Sequence, residues 1–273
     1  MSSRRFLIIG AHPDDADILF GGTAVKLTRA GHVVKFVSMC NGDCGHFDMD
    51  RIKLRDRRYL ETQASAKIAG LQEYQVFSEN HDCELEPTVE IRKKVTAVIR
   101  EFKPDVVLSH RLCDYHADHR ATAQLVLDCA YLTQVPLFCS ESAVPAENPV
   151  FGYLFDRFTD PRPQRPDAAV IIDDVMEQKC RMLDCHVSQV YEWLAYEKTG
   201  RAMEPEKLSW EERLDYLRSN WGERFKIAAD NARELLISSY GEAGRNAVYA
   251  ETFELSPYGR KITPAEFQAL FQP

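Results

Sequence analysis

The sequence predicts an α/β fold, a mostly parallel sheet flanked by helices, and two patterns carry that expectation. Short, continuous apolar runs recur, the first being Phe6-Leu7-Ile8-Ile9. Such runs suit parallel strands buried on both faces rather than half-exposed strands, which alternate. Longer stretches with helical periodicity lie between them, and strands that alternate with helices over short links assemble into parallel sheets.

The elements follow in order. After the first strand, Gly21-Gly22 opens a helical pattern through Ala24, Val25, Leu27 and Ala30, stopped by Gly31, a natural helix terminator. Val33 to Met39 is the second strand, followed by the loop Asn41-Gly42-Asp43. A charged helix over about 50–69 is closed by Gly70, and Tyr74–Phe77 is a short strand. Val89–Phe102 places Ile91, Val95, Val98, Ile99 and Phe102 on one helical face. Asp105–Leu108 is the next buried strand, and His119 opens a helix to about Leu132.

The second half is less regular. Residues 134–168 are proline-rich and read as extended loops with a strand at Val150–Phe155. Ala168–Ile172 is a strand and Val175–His186 a helix. Further helices are expected at about 209–219 and 221–236, and an alternating strand near a sheet edge at Val248–Leu255. The expectation is one domain over 1–273, with a core over about 5–190. Residues 191–273 form an irregular extension that builds part of the pocket wall.

Composition narrows the function classes. The chain has 273 residues, 45% of them hydrophobic, and its 34 Lys+Arg against 42 Asp+Glu give a net charge of −8. That balance argues against nucleic-acid binding and anionic membrane surfaces, which require clustered positive charge. No run approaches the roughly 20 apolar residues of a membrane span. The opening apolar run ends too soon for the core of a secretion signal, so a cytoplasmic protein is expected. The cysteines at 40, 44, 83, 113, 129, 139, 180 and 185 are scattered, without the second pair that zinc-finger spacing needs. They read as small hydrophobes, Cys113 alone standing beside the polar cluster described next. The aromatic residues Trp193, Trp210 and Trp221 are candidates for a homo-oligomer interface.

Chemistry concentrates in two clusters, His12-Pro13-Asp14-Asp15 after the first strand and Asp114-Tyr115-His116-Ala117-Asp118-His119 after the strand Asp105–Leu108. Ligands of open α/β sheets collect beyond the carboxyl ends of the strands, so topology brings the two clusters together. Catalytic zinc takes three protein ligands and keeps one position for water. His12, Asp15 and His119 meet that count, and the same set admits Fe(II) or Co(II). Asp14 is then free to act as general base toward a metal-activated water. His116 is the candidate to stabilise an oxyanion or protonate a leaving amine, as an imidazolium. Asp118 joins the catalytic group as the residue that fixes a ring's orientation. By spacing alone Arg58 and Glu61 are a solvated pair one helical turn apart, and His186 caps a helix end.

At these residues the chain resembles the LmbE-like, or PIG-L, family of zinc-dependent N-deacetylases. The resemblance rests on Ala11-His12-Pro13-Asp14-Asp15, Gly21-Gly22, Asn41-Gly42-Asp43, Arg58 with Glu61, His116-Ala117-Asp118-His119 and His186-Val187-Ser188-Gln189. It covers roughly residues 5–190 and implies a Rossmann-like fold. It further implies zinc on His12, Asp15 and His119, Asp14 as base, and His116 assisting. It adds a substrate-contact or loop-ordering role for Arg58 and a place near the pocket for His186. The implied substrate is a small N-acetylated amino sugar, an N-acetylglucosamine glycoside or conjugate. Two departures stand out: Ala16-Asp17 replaces the usual Glu after the opening motif, and Ala117 stands where Pro is common.

Other classes fare worse. A nucleotide-binding oxidoreductase would need G-x-G-x-x-G where the chain has Ile9-Gly10-Ala11-His12. A non-catalytic metal- or glycan-binding protein has no use for Asp14 beside the ligands. A zinc hydrolase of another small amide or ester is the nearest alternative.

Overall fold

The computed structural model describes residues 3–272; Met1, Ser2 and Pro273, which the single-domain expectation includes, lie outside them. Its centre is set by the first apolar run. Strand β1 (Arg5–Gly10) sends Phe6 and Ile8 into one helical layer and Leu7 and Ile9 into the other. Successive side chains of a strand point to opposite faces, so a strand covered on both sides is apolar throughout. Around it lie β2 (Val33–Ser38), β3 (Glu73–Val76), β4 (Val106–Ser109), β5 (Val150–Leu154), β6 (Ala168–Ile171) and β7 (Ala250–Gly259). They form one seven-stranded sheet in the order β3-β2-β1-β4-β5-β7-β6. The pairings from β3 to β5 are parallel, and β7 runs antiparallel to both of its neighbours. The chain reverses its direction of travel across the sheet between β1 and β4, which creates the crevice where such sheets bind ligands.

The helices are α1 (Asp15–Arg29), α2 (Arg51–Ala69), α3 (Val89–Phe102), α4 (Ala117–Leu132), α5 (Met176–Asp184), α6 (Leu194–Thr199), α7 (Trp210–Asn231), α8 (Arg233–Tyr240), α9 (Glu242–Asn246) and α10 (Pro264–Leu270). One layer contains α1, α2, α5 and α7; α3 and α4 pack on the other face. None is long and apolar enough to cross a membrane.

Four expectations need correction. Gly21-Gly22 lies inside α1, which starts at Asp15. These glycines answer to packing: a Cβ on Gly22 would come within 2.8 Å of Ile172 Cγ2. The helices expected at 209–219 and 221–236 are largely one, α7, launched by a Ser209/Glu212 capping box. The strand expected to alternate near an edge, β7, does lie one place in from the edge strand β6, but it is buried on both faces over Ala250–Glu254. Finally, the extension expected to be irregular is, over its described residues 191–272, mostly helical and contributes β7 to the main sheet, so it is a regular part of the fold.

A buried ion pair ties this C-terminal region to α1. Lys179 of α5 and Glu251 of β7 bond to each other with both side chains almost fully enclosed. Lys179 Nζ also donates to the Ile18 carbonyl (2.7 Å) and sits 4.0 Å above the Phe225 ring. Glu251 accepts the backbone N–H groups of Gly22 (2.9 Å) and Thr23 (2.7 Å). Removing one partner leaves an uncompensated buried charge, so Lys179→Met is expected to cost about 3 kcal/mol. Urea denaturation reads this as a lower midpoint; an unchanged midpoint would show that the pair is not an anchor.

Candidate active site

The turn after β1 is built by Asp15, whose Oδ2 accepts the backbone N–H groups of Ala11 (2.9 Å) and His12 (2.8 Å). The Asp14 N–H folds back onto the His12 carbonyl at 2.8 Å, and α1 starts at once. The second cluster starts α4: the His116 side chain caps the helix by accepting the Asp118 N–H (3.2 Å). That helix begins at Ala117, two residues before the expected start at His119.

The two turns meet. His12 Nδ1 and His119 Nε2 are 3.2 Å apart, and Asp15 Oδ2 lies 3.7 Å from the first and 3.6 Å from the second. Ligand atoms of a tetrahedral zinc ion, each about 2.0–2.1 Å from the metal, are about 3.4 Å from one another. The opposite ring nitrogens are held by carboxylates: His12 Nε2 is 3.1 Å from Asp118 Oδ2, and His119 Nδ1 is 3.0 Å from Asp114 Oδ2. When those nitrogens donate to the carboxylates, the facing pair presents two lone pairs to one point. Lone pairs 3.2 Å apart require a shared proton or a cation between them. The residues therefore fit a divalent metal.

Charge in the cleft follows the same logic. Burial opposes charge on His12, but hydrogen bonds to Asp118 and Asp15 outweigh it and raise the imidazole to about 10. Burial also disfavours the Asp15 anion, yet His119 and His110 hold this carboxyl well below the usual range. His110 Nε2 lies 3.3 Å from Asp15 Oδ2, and its ring stacks on His119 at 4.2 Å. Asp14 goes the other way: burial raises it, only partly offset by Arg58. Burial, then His12 and His119, lower His116, so the imidazolium expected from sequence is disfavoured. With Nδ1 accepting the Asp118 N–H, neutral His116 is left with Nε2–H as its donor.

Arg58 and Glu61 are buried, not a solvated pair, and face different partners. Arg58 Nη2 reaches the Pro13 carbonyl (3.3 Å) and Asp14 Oδ1 (3.4 Å), while Nη1 lies 3.6 Å from Asp82. Gly42, at φ +82°, lets its loop close over this arginine; a Cβ there would meet Arg58 Cδ at 2.7 Å and Pro13 Cγ at 3.0 Å. Glu61 accepts both the N–H (2.9 Å) and the hydroxyl (2.6 Å) of Ser188. That bond anchors a π-helical turn over Ser188–Trp193.

His186 is fully enclosed, with its ring nitrogen 3.2 Å from Asp17 Oδ2, and it does not line the cavity. Its expected substrate contact gives way to a place in the interior, because Asp17 faces away from the cleft. Asp17 also accepts the Tyr74 hydroxyl (2.9 Å) and the Ser65 hydroxyl. The same segment reaches the cavity through Gln189 and Trp193 instead.

The cavity at the metal-suited triangle has a volume of about 700 Å³. Tyr115, Phe158, Trp193 and Trp221 supply aromatic wall, so two of the three tryptophans considered for an oligomer interface face inward. Trp210 packs under Arg181 at 4.1 Å. All eight cysteines are free thiols; Cys44 and Cys83 line the cavity, whereas Cys113 does not. Sequence reasoning missed Asp114 as the partner of His119, although it sat in the quoted run. It also missed Asp82, Arg157 and Arg224, for which no motif gave a signal.

Two outcomes follow for metal binding. Asp118→Asn should weaken it about 10–100-fold while preserving the fold, as read by chelator competition and circular dichroism. Because His12 holds its proton up to about 10 in the metal-free protein, metal must displace that proton. Affinity should then rise about tenfold per pH unit from 6 toward 9 and level off above the His12 value. A flat profile would remove His12 from the ligand set.

The chain is similar to proteins of a known family. The family profile described as PIG-L: GlcNAc-PI de-N-acetylase matches residues 7–130. The diacetylchitobiose deacetylase of Thermococcus kodakarensis is 30% identical over 210 residues, 72% of this chain and 76% of that protein. The structure of the N,N'-diacetylchitobiose deacetylase of Pyrococcus horikoshii superposes with a TM-score of 0.68 at 26% identity, covering 94% of this chain and 85% of the other. The 4-carboxy-2-hydroxymuconate hydratase of Pseudomonas putida superposes at 0.70 with 21% identity, covering 95% and 98%. At that identity the likeness speaks for the fold alone, and one fold hosts several chemistries. With its motif residues converging in one cleft and a deacetylase relative aligned over most of its length, this chain belongs to the PIG-L family.

Proposed function

We propose that this protein is a metal-dependent hydrolase that removes the acetyl group from an N-acetylated amino sugar, of the N-acetylglucosamine glycoside or conjugate type. The observation that carries the reading is the His12–Asp15–His119 triangle, whose edges of 3.2, 3.6 and 3.7 Å suit one tetrahedral ion. It lies beside a buried carboxylate, Asp14, in a cleft large enough for a sugar. The relatives named above as diacetylchitobiose deacetylases support the substrate class.

Zinc, or Fe(II) or Co(II) in its place, would be held by His12, Asp15 and His119 and would supply Lewis-acid activation of water and of the amide carbonyl. The protein's own residues do the rest. Asp14, raised by burial, accepts the proton of the attacking water. Arg58 fixes the Asp14 carboxylate and the Pro13 carbonyl, so the base keeps its aim. His116 offers a neutral N–H to the developing oxyanion or the departing nitrogen. Asp118 and Asp114 set which nitrogen each ligating ring presents. Water adds across the amide C–N bond; its proton passes to the amine, and acetate leaves. The aromatic walls suit the apolar faces of a pyranose ring.

Asp14→Asn is expected to retain stoichiometric metal and lose about 10³-fold in kcat, the range typical of a positioned general base. Metal analysis beside acetate release from a panel of N-acetylglucosamine derivatives tests this. Full metal content with no acetate from any member of the panel would defeat the deacetylase reading and spare the metal site.

A further inference from the structure

Four guanidinium groups border the cavity, and they divide into two kinds. Arg58 and Arg111 are buried and neutralised by the protein itself. Arg58 faces Asp14 and Asp82 at 3.4 and 3.6 Å, and Arg111 forms a two-pronged pair with Asp156. Arg157 and Arg224 have no such counter-charge: among the described residues, no carboxylate oxygen pairs with either one within 4.0 Å. In a chain with 42 carboxylates and only 34 Lys+Arg, a half-buried cation left unpaired in a cleft, as Arg224 is, is costly unless something else meets it, and the exposed Arg157 beside it adds a second free charge.

Their setting fits a ligand contact. Arg224 is half-buried on α7, one turn after Trp221, and both line the cavity. The helix is pinned there by Phe225, whose ring lies under Lys179. Burial and the charge of Arg157 lower Arg224 from the usual arginine range, against the pull of Asp15 and Asp114. Arg157 lines the same cavity and also a second chamber of about 240 Å³, so it stands where the two spaces adjoin. Beside Asp14, Asp15, Asp82, Asp114 and Asp156, whose partners are given above, Glu197 also lines the cavity, on the Tyr115 side, and like them it pairs with neither Arg157 nor Arg224.

We propose that Arg224 and Arg157 form an anion-binding subsite of the cleft, so that the preferred N-acetylated sugar carries a phosphate or carboxylate substituent. A guanidinium pair matches such a group because each offers parallel N–H donors to two oxygens. The inference rests on the deacetylase reading for its sugar and on the arginine pair for its charge. It separates this chain from one suited to a neutral disaccharide.

The test uses the metal-loaded protein and four probes: N,N'-diacetylchitobiose and methyl N-acetylglucosaminide as neutral compounds, N-acetylglucosamine 1-phosphate and the glycolic acid glycoside of N-acetylglucosamine as anionic ones. The expected result is a kcat/KM for an anionic probe about tenfold or more above the neutral probes, a gap that narrows as salt rises. Arg224→Gln should cut the anionic-to-neutral ratio about 30-fold, mainly through KM, and Arg224→Lys should restore part of it. Arg157→Gln should act in the same direction. The two anionic probes tell phosphate from carboxylate recognition.

Calorimetric titration of the same probes onto wild type and Arg224→Gln gives a reading that needs no turnover. Preferential anion binding lost in the variant supports the subsite even if no acetate is released, in which case only the deacetylase reading falls. Equal binding and equal rates for neutral and anionic probes, or a variant that weakens both kinds alike, would overturn the proposal.

Discussion

Two imidazole nitrogens and a carboxylate oxygen within 3.7 Å of one another make an electrostatic demand that the surrounding structure is arranged to hold. Without support the rings would turn away and the carboxylate would seek solvent. Asp118 and Asp114 lock the rings from behind, and each is itself fixed: Asp118 accepts the N–H groups of Cys83 (2.6 Å) and Leu85 (3.3 Å), and Asp114 accepts that of His116 (2.9 Å). Asp15 is held by the backbone of its own turn. The strands β1 and β4 then need only deliver two turns to the same edge of the sheet. Preorganisation of this kind removes the cost of ordering ligands when a cation or a transition state arrives.

The motif region is largely legible in the sequence. Phe6–Ile9 reads as a doubly buried strand because its four consecutive apolar residues end at a charged turn, too soon for the core of a secretion signal. The convergence of His12, Asp15 and His119 followed from where parallel strands end. What failed to read were interactions between residues far apart in sequence. Gly21-Gly22 looked like a helix start since glycine is a poor helix former; its reason lies 150 residues away, at Ile172. His186 reads from spacing as a helix-end cap and from the resemblance as a pocket neighbour, but Asp17 draws the ring inward. Arg224 had no neighbour in sequence to single it out, and its interest comes from the carboxylates it lacks.

Arg58 and Glu61 show how one helix joins parts of the site. They stand three residues apart on α2, one gripping the turn that carries the base and the other gripping Ser188 at the start of the π-helical turn. A shift of α2 would therefore move the base and the Gln189–Trp193 wall together. Spacing alone suggested two solvated charges; burial converts them into a rigid strut.

The position of β7 has a consequence for how the molecule is made. Residues 250–259 must slide between strands formed from residues 150–154 and 168–171. Until then β5 and β6 present open edges with no partner between them. Contacts this distant in sequence form late and slowly, and an emerging chain folds from its beginning. The turns bearing His12 and His119 can thus meet while the far wall of the cleft is still unassembled. The strand that completes the sheet is fastened to the helix carrying Asp15 only when Glu251 reaches Lys179 and the backbone of α1.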